Sequence, residues 1–394
     1  MLPPLYLKKN EERRLRAGHV WIFSNEIDVA RSPLTGFEPG EMAAVLDSRG
    51  APIGAAYVNP RSLIAARLIS RDADRVLDRA LLERRIEHAL SLRERLFDAP
   101  FYRLVYGEGD RLPGLVVDRY GDYLVAQITT AGMERVRGDV VAALDAVLRP
   151  AGVLLRNDSP ARSYEGLEMY VEPALGEVPD AVEIVENGAR FRVPLAGGQK
   201  TGWFYDHRPN RALLQRYVPG QRVLDVFSYL GGWGVAAAVA GAAEVLCVDS
   251  SAAALEGVRQ NATLNGVESR IATRQGDAFD ALRALDADGE RFDVVVLDPP
   301  AFIKRKKDMR KGEEAYRRLN QLAMQLVAPG GFLVSASCSF HLSRDALLGA
   351  MLRAGRALGR EVQITAQGHQ GADHPVHPAI PETDYLKAFF ARIS

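Results

Sequence analysis

The sequence holds two cysteines, Cys247 and Cys338, among 394 residues, too few for a disulfide framework. Neither charge is in excess: 50 Lys and Arg balance 50 Asp and Glu. No global field therefore draws the chain to nucleic acid or an anionic membrane, and any polyanion contact must be local. Long apolar runs are missing too. The longest, Val235 to Ala243, is Ala-rich and interrupted by Gly241, far short of the roughly 18 apolar residues a membrane helix needs. The start, MLPPLYLKKNEERR, carries no apolar stretch of the kind that directs secretion. These absences predict a protein of the reducing cytoplasm, away from membranes, whose Asn157-Asp-Ser159 and Asn261-Ala-Thr263 sequons are accidental. There is no solenoid-period repeat and no low-complexity tract. What is present, 47% hydrophobic and 25% charged, is typical of folded globular chains, and the length suggests two or three domains.

Residues 1 to 73 read as short extended segments broken by turn residues: HVWIFSNEI, PGEMAAVLD, APIGAAYVN and SLIAARLIS. That predicts a small β-rich module. From Val76 to Phe97, apolar residues recur at three- and four-residue steps opposite Glu83, Arg84, Arg85 and Glu87, the pattern of an amphipathic helix. Strand-like segments follow around a helix candidate at Glu134 to Leu148, ending in AVEIVENGARFRVPL. There Asn187-Gly188 between alternating runs signals a tight hairpin. Residues 74 to 190 thus read as a middle α+β domain. From residue 191 to 394 the texture becomes strand-then-helix: RVLDVFSY then GVAAAVA, AEVLCVDSS then AALEGVRQNATLNG, RFDVVVLDPP then AYRRLNQLAMQLVAPGG, GFLVSASCS then RDALLGAMLRAGRAL. Such alternation predicts an α/β domain with a parallel sheet wrapped by helices.

In such a sheet, ligands bind at the carboxyl ends of strands. Four acids fall there: Asp225, Asp249, Asp277 and Asp298. Gly231, Gly232 and Gly234 form the turn after the first strand, where a ligand can approach backbone closely. Asp249 lies 18 residues past Gly231, near the spacing at which an acid accepts from ribose hydroxyls. The turn is D-x-F-x-x-x-G-G rather than G-x-G-x-x-G, which disfavours NAD and a hydride-transferring enzyme and favours S-adenosylmethionine. Asp277 is read either as an acceptor for the adenine amino group or as the N-cap of the helix that follows.

The next strand ends in VVVLDPPAF, where Pro299-Pro300 extends the backbone just after Asp298. Directly behind it come Lys304, Arg305, Lys306, Lys307, Arg310 and Lys311, six basic residues against Asp308. They are the candidate phosphate contact. Cys247 lies inside an apolar run and reads as a core residue, whereas Cys338, flanked by Ser337 and Ser339 at a strand end, is the candidate nucleophile. Carbon 5 of cytosine is too weak a nucleophile to take a methyl group directly, but thiolate addition at carbon 6 makes it an enamine that does so. A carboxyl group at ring nitrogen 3 would stabilise the charge change, a role for Asp298. His374 and His377 in DHPVHP lack the ligand number of a metal site, and none is expected. His207 and His341 fall near these motifs with no assigned role, and Trp21, Phe23 and Tyr57 read mainly as core.

GHVWIFSNEID, GQKTGWFYDHRPNR, LDVFSYLGG, VDSSAAALEGVRQNATLNG, LDPPAF, SASCS and DHPV together make the chain resemble, over its full length, the bacterial 23S ribosomal RNA large-subunit methyltransferases. Those enzymes join a PUA domain to a Rossmann-like class I methyltransferase domain and make 5-methylcytosine. The resemblance implies S-adenosylmethionine held by Phe227, Ser228, Gly231, Asp249 and Asp277, with Lys200, Phe204, Asp206 and Arg208 closing over it. It implies Cys338 as attacking thiol and Asp298 beside the base. Its substrate would be 23S ribosomal RNA, naked or in an assembly intermediate, gripped by the PUA-like module and the basic loop; a homodimer is left open. Ala301 and Phe302 follow the prolines where a second RNA cytosine methyltransferase lineage has a cysteine, so a two-cysteine release is excluded. LDPPAF and KTGWFYDHRPNR also resemble a domain that methylates guanine N7 without a nucleophile, the alternative reading. A further one is an RNA-binding or chaperone protein with a vestigial catalytic domain, which would not bind S-adenosylmethionine.

Overall fold

A computed structural model describes residues 1–198 and 201–394. Residue contacts divide it into two units. The first comprises Met1–Val182, Pro194–Trp203 and Ala372–Thr383; the second, Glu183–Val193, Phe204–Gly371 and Asp384–Ser394.

The first unit contains two five-stranded sheets. One orders Pro4–Tyr6, Glu41–Leu46, Pro52–Val58, Ala66–Ser70 and Trp21–Ile22 side by side; the other orders Tyr170–Gly176, Gly152–Asn157, Tyr123–Ile128, Leu115–Tyr120 and Phe101–Tyr106. The amphipathic helix runs Arg79–Leu96, begun by Asp78, whose side chain accepts from the Leu81 N–H as an N-cap should. Its buried face, Leu81, Leu82 and Ile86, meets a core that also takes Ala55, Tyr57, Leu104 and Val117. Tyr57 is completely buried and donates to the Pro113 carbonyl at 2.9 Å, so it is core, not an RNA-stacking platform. Arg93, inside the same unit, is fully buried and grips Asp110 through two hydrogen bonds of 2.6 and 2.8 Å. The DHPVHP loop is structural: Asp373 accepts from the Arg103 N–H at 3.0 Å and pairs with His374 at 2.9 Å. Both sequon asparagines are completely buried; Asn157 accepts from the Ile128 N–H at 2.7 Å.

The second unit is built on a seven-stranded sheet. Its strands are β1 (Arg222–Val226), β2 (Glu244–Asp249), β3 (Ile271–Gln275), β4 (Phe292–Leu297), β5 (Val327–Ser337), β6 (Val362–Gly368) and β7 (Lys387–Ile393), in the order β3-β2-β1-β4-β5-β7-β6. β1 to β5 are parallel, and β7 runs antiparallel between β5 and β6. A short helix, Arg208–Leu214, precedes β1, and the helices that follow β1 to β5 in turn are α1 (Gly234–Val239), α2 (Ala252–Leu264), α3 (Ala278–Ala287), α4 (Met309–Leu326) and α5 (Arg344–Ala357). This is the α/β, Rossmann-like sheet expected. β1 and β4 are almost wholly buried, as near-continuous Val and Leu runs must be when helices cover both faces. β6 and β7 went unread in the sequence. The order reverses between β1 and β4, the kind of switch point at which open α/β sheets bind their ligands. Register sets the tips level: Val226 pairs with Val248 and Leu297, and Leu297 with Ser335. Asp249, Asp298 and the loop after Ser337 are therefore delivered to the same edge.

No helix among the described residues is long and apolar enough to cross a membrane.

Candidate active site

The turn between β1 and α1 is held in an uncommon conformation. Phe227 and Tyr229 adopt positive φ, 68° and 49°, and Gly231 follows at 81°. For non-glycine residues this costs of the order of 1–3 kcal/mol each and is retained where surroundings enforce it. Here the Phe227 and Ser228 N–H groups both donate to the Val248 carbonyl, at 2.9 and 3.1 Å. The Tyr229 N–H donates to Asp249 at 2.9 Å. Gly234 allows α1 to start against the sheet: a Cβ there would stand 2.5 Å from the Cys247 sulfur. Asn261 is fully buried and spans two elements, accepting from the Arg192 N–H at 2.7 Å and donating to the Leu230 carbonyl at 2.9 Å. It thus pins the turn to the hairpin around Asn187-Gly188, whose positive φ values of 51° and 84° suit a two-residue turn.

Three features of this turn fit S-adenosylmethionine. The Ser228 hydroxyl is buried without a hydrogen-bond partner among the described residues, a group that awaits a ligand or water. Asp249 is half-buried at the tip of β2, fixed by the Tyr229 and Ser251 N–H groups at 2.9 Å each, and each oxygen keeps a lone pair for a hydroxyl donor. Phe227, Phe279 and Phe302 line up at ring separations of 6.5 and 6.4 Å. Asp277 is exposed and accepts from the Phe279 and Asp280 N–H groups at 2.9 and 3.2 Å, so it caps α3. One of its oxygens carries both bonds.

Asp225, at the end of β1, is completely buried; it accepts from the Gly234 N–H at 2.8 Å while its other oxygen has no partner among the described residues. Burial, reinforced by Asp298 and Asp249, pushes its carboxyl up to about 7.

Asp298 stands differently. Its Oδ2 accepts from the Trp233 indole N–H at 3.0 Å, and its Oδ1 lies 3.1 Å from His207 Nε2. Burial alone raises a carboxyl, but His207 and the Trp233 donor outweigh it and hold Asp298 below its ordinary value. Cys338 is half-buried, and its sulfur lies 3.9 Å from the Pro299 carbonyl, which brings the thiol to the D-P-P loop. Ser337 and Ser339 lock that region, both bonded to the buried Tyr316 hydroxyl at 2.8 and 3.0 Å. Lys387, paired with Ser337 in the sheet, donates to the Ser339 and Leu342 carbonyls at 2.6 Å each. Burial pushes its ammonium down to about 8, with Cys338 opposing.

The basic residues Lys304, Arg305, Lys306, Lys307, Arg310 and Lys311 are all exposed; Arg305 pairs with Asp308 at 3.1 Å. Arg208 sits 3.5 Å from Glu186 and over the Tyr205 ring at 5.2 Å. Arg211 holds Glu186 at 2.6 and 3.0 Å. Asp206 accepts from the Tyr385 hydroxyl, and Phe204 meets Tyr229 at 5.5 Å. Lys200 lies outside the described residues. Sequence reasoning gave no role to His207, Trp233, Asn210 or Lys387. For Lys387 and Trp233 no local signal exists, since their contacts depend on strand order and on a turn.

Comparison with known proteins agrees with this geometry. A family profile described as S-adenosylmethionine-dependent methyltransferase matches residues 166–367, and a PUA-like domain profile matches residues 5–71. A protein named ribosomal RNA large subunit methyltransferase I from Klebsiella pneumoniae (strain 342) is 38% identical over 100% of this chain and 99% of its own length. One of the same name from Erwinia tasmaniensis is 39% identical over 99% of both chains. A solved structure of a methyltransferase in complex with SAH superposes with a TM-score of 0.85 at 20% identity, covering 99% of this chain and 100% of that one.

Proposed function

The chain belongs to the ribosomal RNA large subunit methyltransferase I family, S-adenosylmethionine-dependent enzymes with an N-terminal PUA-like domain, and from that premise we propose that it methylates carbon 5 of a cytosine in large-subunit ribosomal RNA, in the cytoplasm, through a covalent bond from Cys338. The observation that carries this reading is the half-buried Cys338 sulfur lying 3.9 Å from the Pro299 carbonyl, next to Asp298. A thiol serving only as core would be sealed in, as Cys247 is.

S-adenosylmethionine supplies an electrophilic methyl group when bound, and Ser228, Gly231, Asp249 and Asp277 with the Phe227 ring would hold it. Addition of the Cys338 thiol puts sulfur on C6 and its proton on N3, and raises electron density at C5. Once C5 is methylated, positive charge spreads over N3 and the exocyclic nitrogen, where the ionised Asp298 opposes it. Loss of the C5 proton to a base, then of sulfur with the N3 proton, restores the aromatic ring and the thiol. A paired target must first be unstacked. Residues 1–73 and the loop from Lys304 to Lys311 grip phosphates, residues 74–190 link the first of these to the catalytic part from 191 onward, which carries the loop, and the grip is local, as the neutral total requires.

The test is nucleoside analysis of unmodified 23S transcript after incubation with enzyme and S-adenosylmethionine. 5-Methylcytidine is expected; a methylated guanosine instead would overturn the reading in favour of the covalent-free alternative.

A further inference from the structure

The first unit holds a cavity of about 420 Å³ that the methyl-transfer chemistry does not use, within the roughly 300–1,000 Å³ of ligand pockets. Its walls come from the strand Ala66–Ser70 of the PUA-like module, the helix Arg79–Leu96 and the turn after Gly107–Asp110, and they carry Arg71, Arg85, Arg111, His377 and Glu108. Three guanidinium groups against one carboxylate make the cavity positive, and the carboxylate is already engaged. Glu108 accepts from the Trp21 indole N–H at 2.7 Å and lies 3.9 Å from Arg67. None of the three cavity arginines forms an ion pair among the described residues.

Arg85 is half-buried, its guanidinium held by the Arg111 and Ile69 carbonyls. Burial, with Arg111 and Arg75 repelling it, pushes Arg85 down to about 10. It is therefore charged at neutral pH, and a charge withdrawn from water calls for a counter-ion. Arg71 donates to the Leu15 and His19 carbonyls at 2.8 and 3.5 Å, which fixes it without neutralising it. Arg111 adopts a left-handed backbone with φ 61°, a conformation that glycine or asparagine takes with less strain. Its side chain makes no hydrogen bond or ion pair among the described residues. Backbone geometry gives no reason for an arginine there; an outside anion does. Burial lowers the His377 imidazole, Glu108 opposes, and Arg111 and Arg71 add to the lowering. The His377 Nδ1 accepts from the Ala379 N–H at 3.2 Å, so the neutral ring keeps its proton on Nε2, a further donor.

We propose that this cavity is a phosphate site for the RNA substrate, in which Arg71, Arg85 and Arg111 bind one backbone phosphate and the apolar walls at Val20 and Pro113 take the nucleotide attached to it. This rests on the reading of RNA as substrate and not on which base is methylated. Guanidinium forks suit phosphate oxygens, and the anion supplies Arg85 with the partner it lacks. The grip then extends beyond residues 1–73, because Arg85 and Arg111 belong to the segment that follows.

Phenylglyoxal, which reacts with accessible guanidinium groups, is the probe. Full-length enzyme is labelled alone, with unmodified 23S transcript, and with inorganic phosphate in place of the transcript, and the sites are read by peptide mass spectrometry. Arg71 and Arg111 are both exposed and should label in the free protein. The transcript should lower their labelling severalfold at concentrations where inorganic phosphate gives no protection. Arg111→Asn suits the left-handed backbone and should keep the melting temperature, while RNA affinity falls about tenfold and its salt dependence becomes shallower by about one unit of slope. Arg111→Lys keeps the charge and should restore the slope, which a merely structural role would not require.

Equal labelling of Arg71 and Arg111 in free and RNA-saturated enzyme would overturn the proposal, as would a folded Arg111→Asn enzyme with the wild-type slope. Protection by inorganic phosphate with none from the transcript would overturn it in favour of a free-anion site. Wild-type enzyme that binds no transcript at any salt concentration would instead refute the RNA reading on which the proposal stands.

Discussion

The pH dependence of stability carries a signature of Asp225. Its side chain is completely buried, one oxygen bonded to the Gly234 N–H and the other without a partner among the described residues. Its carboxyl is pushed from 3.8 up to about 7. Because the folded value is raised, the contribution is fully present below the ordinary carboxyl value and is lost as pH climbs to about 7. Over that window the unfolded chain has released its proton and the folded chain has not. Each pH unit costs the folded state about 1.4 kcal/mol, so the whole window amounts to about 4 kcal/mol, an upper bound because buried sites relax. Asp225→Asn keeps an acceptor for the Gly234 N–H and mimics the protonated acid. Urea unfolding of the wild type and of Asp225→Asn at pH 5, 6, 7 and 8 isolates the effect, since titrating groups that do not interact with Asp225 cancel in the difference. The variant should gain on the wild type by a few kcal/mol between pH 5 and 8. A difference that stays flat across this range would mean that Asp225 titrates as an ordinary surface acid, and the reasoning would fail.

Other expectations follow from single sites. Ser228→Ala removes a buried hydroxyl with no hydrogen-bond partner among the described residues; S-adenosylhomocysteine affinity should drop several-fold in calorimetry, about 1 kcal/mol, while melting temperature holds or rises. Replacing Lys304, Lys306 and Lys307 together by Ala should weaken RNA binding uniformly across sequences and make its salt dependence shallower by about three units of slope. Binding at several salt concentrations checks this, and an unchanged slope would show the loop away from phosphate. Arg93→Met strands Asp110 without its partner, and denaturant unfolding should show a loss of about 3–5 kcal/mol.

The strands that were legible in the sequence are those whose partners lie on both faces of the sheet. VLDV, VLCVD and DVVVL are continuous apolar runs because they are buried on both sides, and the residues closing them mark the crevice by chain polarity alone. β6 alternates exposed and half-buried residues at the sheet edge, and β7 follows a proline-rich loop. Its place between β5 and β6 depends on a hydrophobic face that only the assembled sheet provides. The helix from Arg79 was legible from its period, and its start shifted three residues from Val76 because Asp78 caps it. In the site, Cys338 and Asp298 stood out by position at strand ends. The approach of His207 to Asp298 did not: the two are remote in sequence, and nothing in YDHRPN marks which neighbour its histidine will meet. The same blindness affected the state of Asp298. A buried carboxyl invites an upward shift, but nearby His207 and the Trp233 N–H reverse it.

The central claim is that the Cys338 sulfur bonds to the target base, and covalent capture tests it most directly. A 23S transcript containing 5-fluorocytidine, incubated with enzyme and S-adenosylmethionine, cannot lose fluorine as a cation, so the adduct should accumulate. Digestion and mass spectrometry should place the nucleotide on the peptide bearing Cys338, with no adduct from Cys338→Ala. Full methylation of ordinary 23S transcript by Cys338→Ala, with no trapped species from the wild type, would contradict the account.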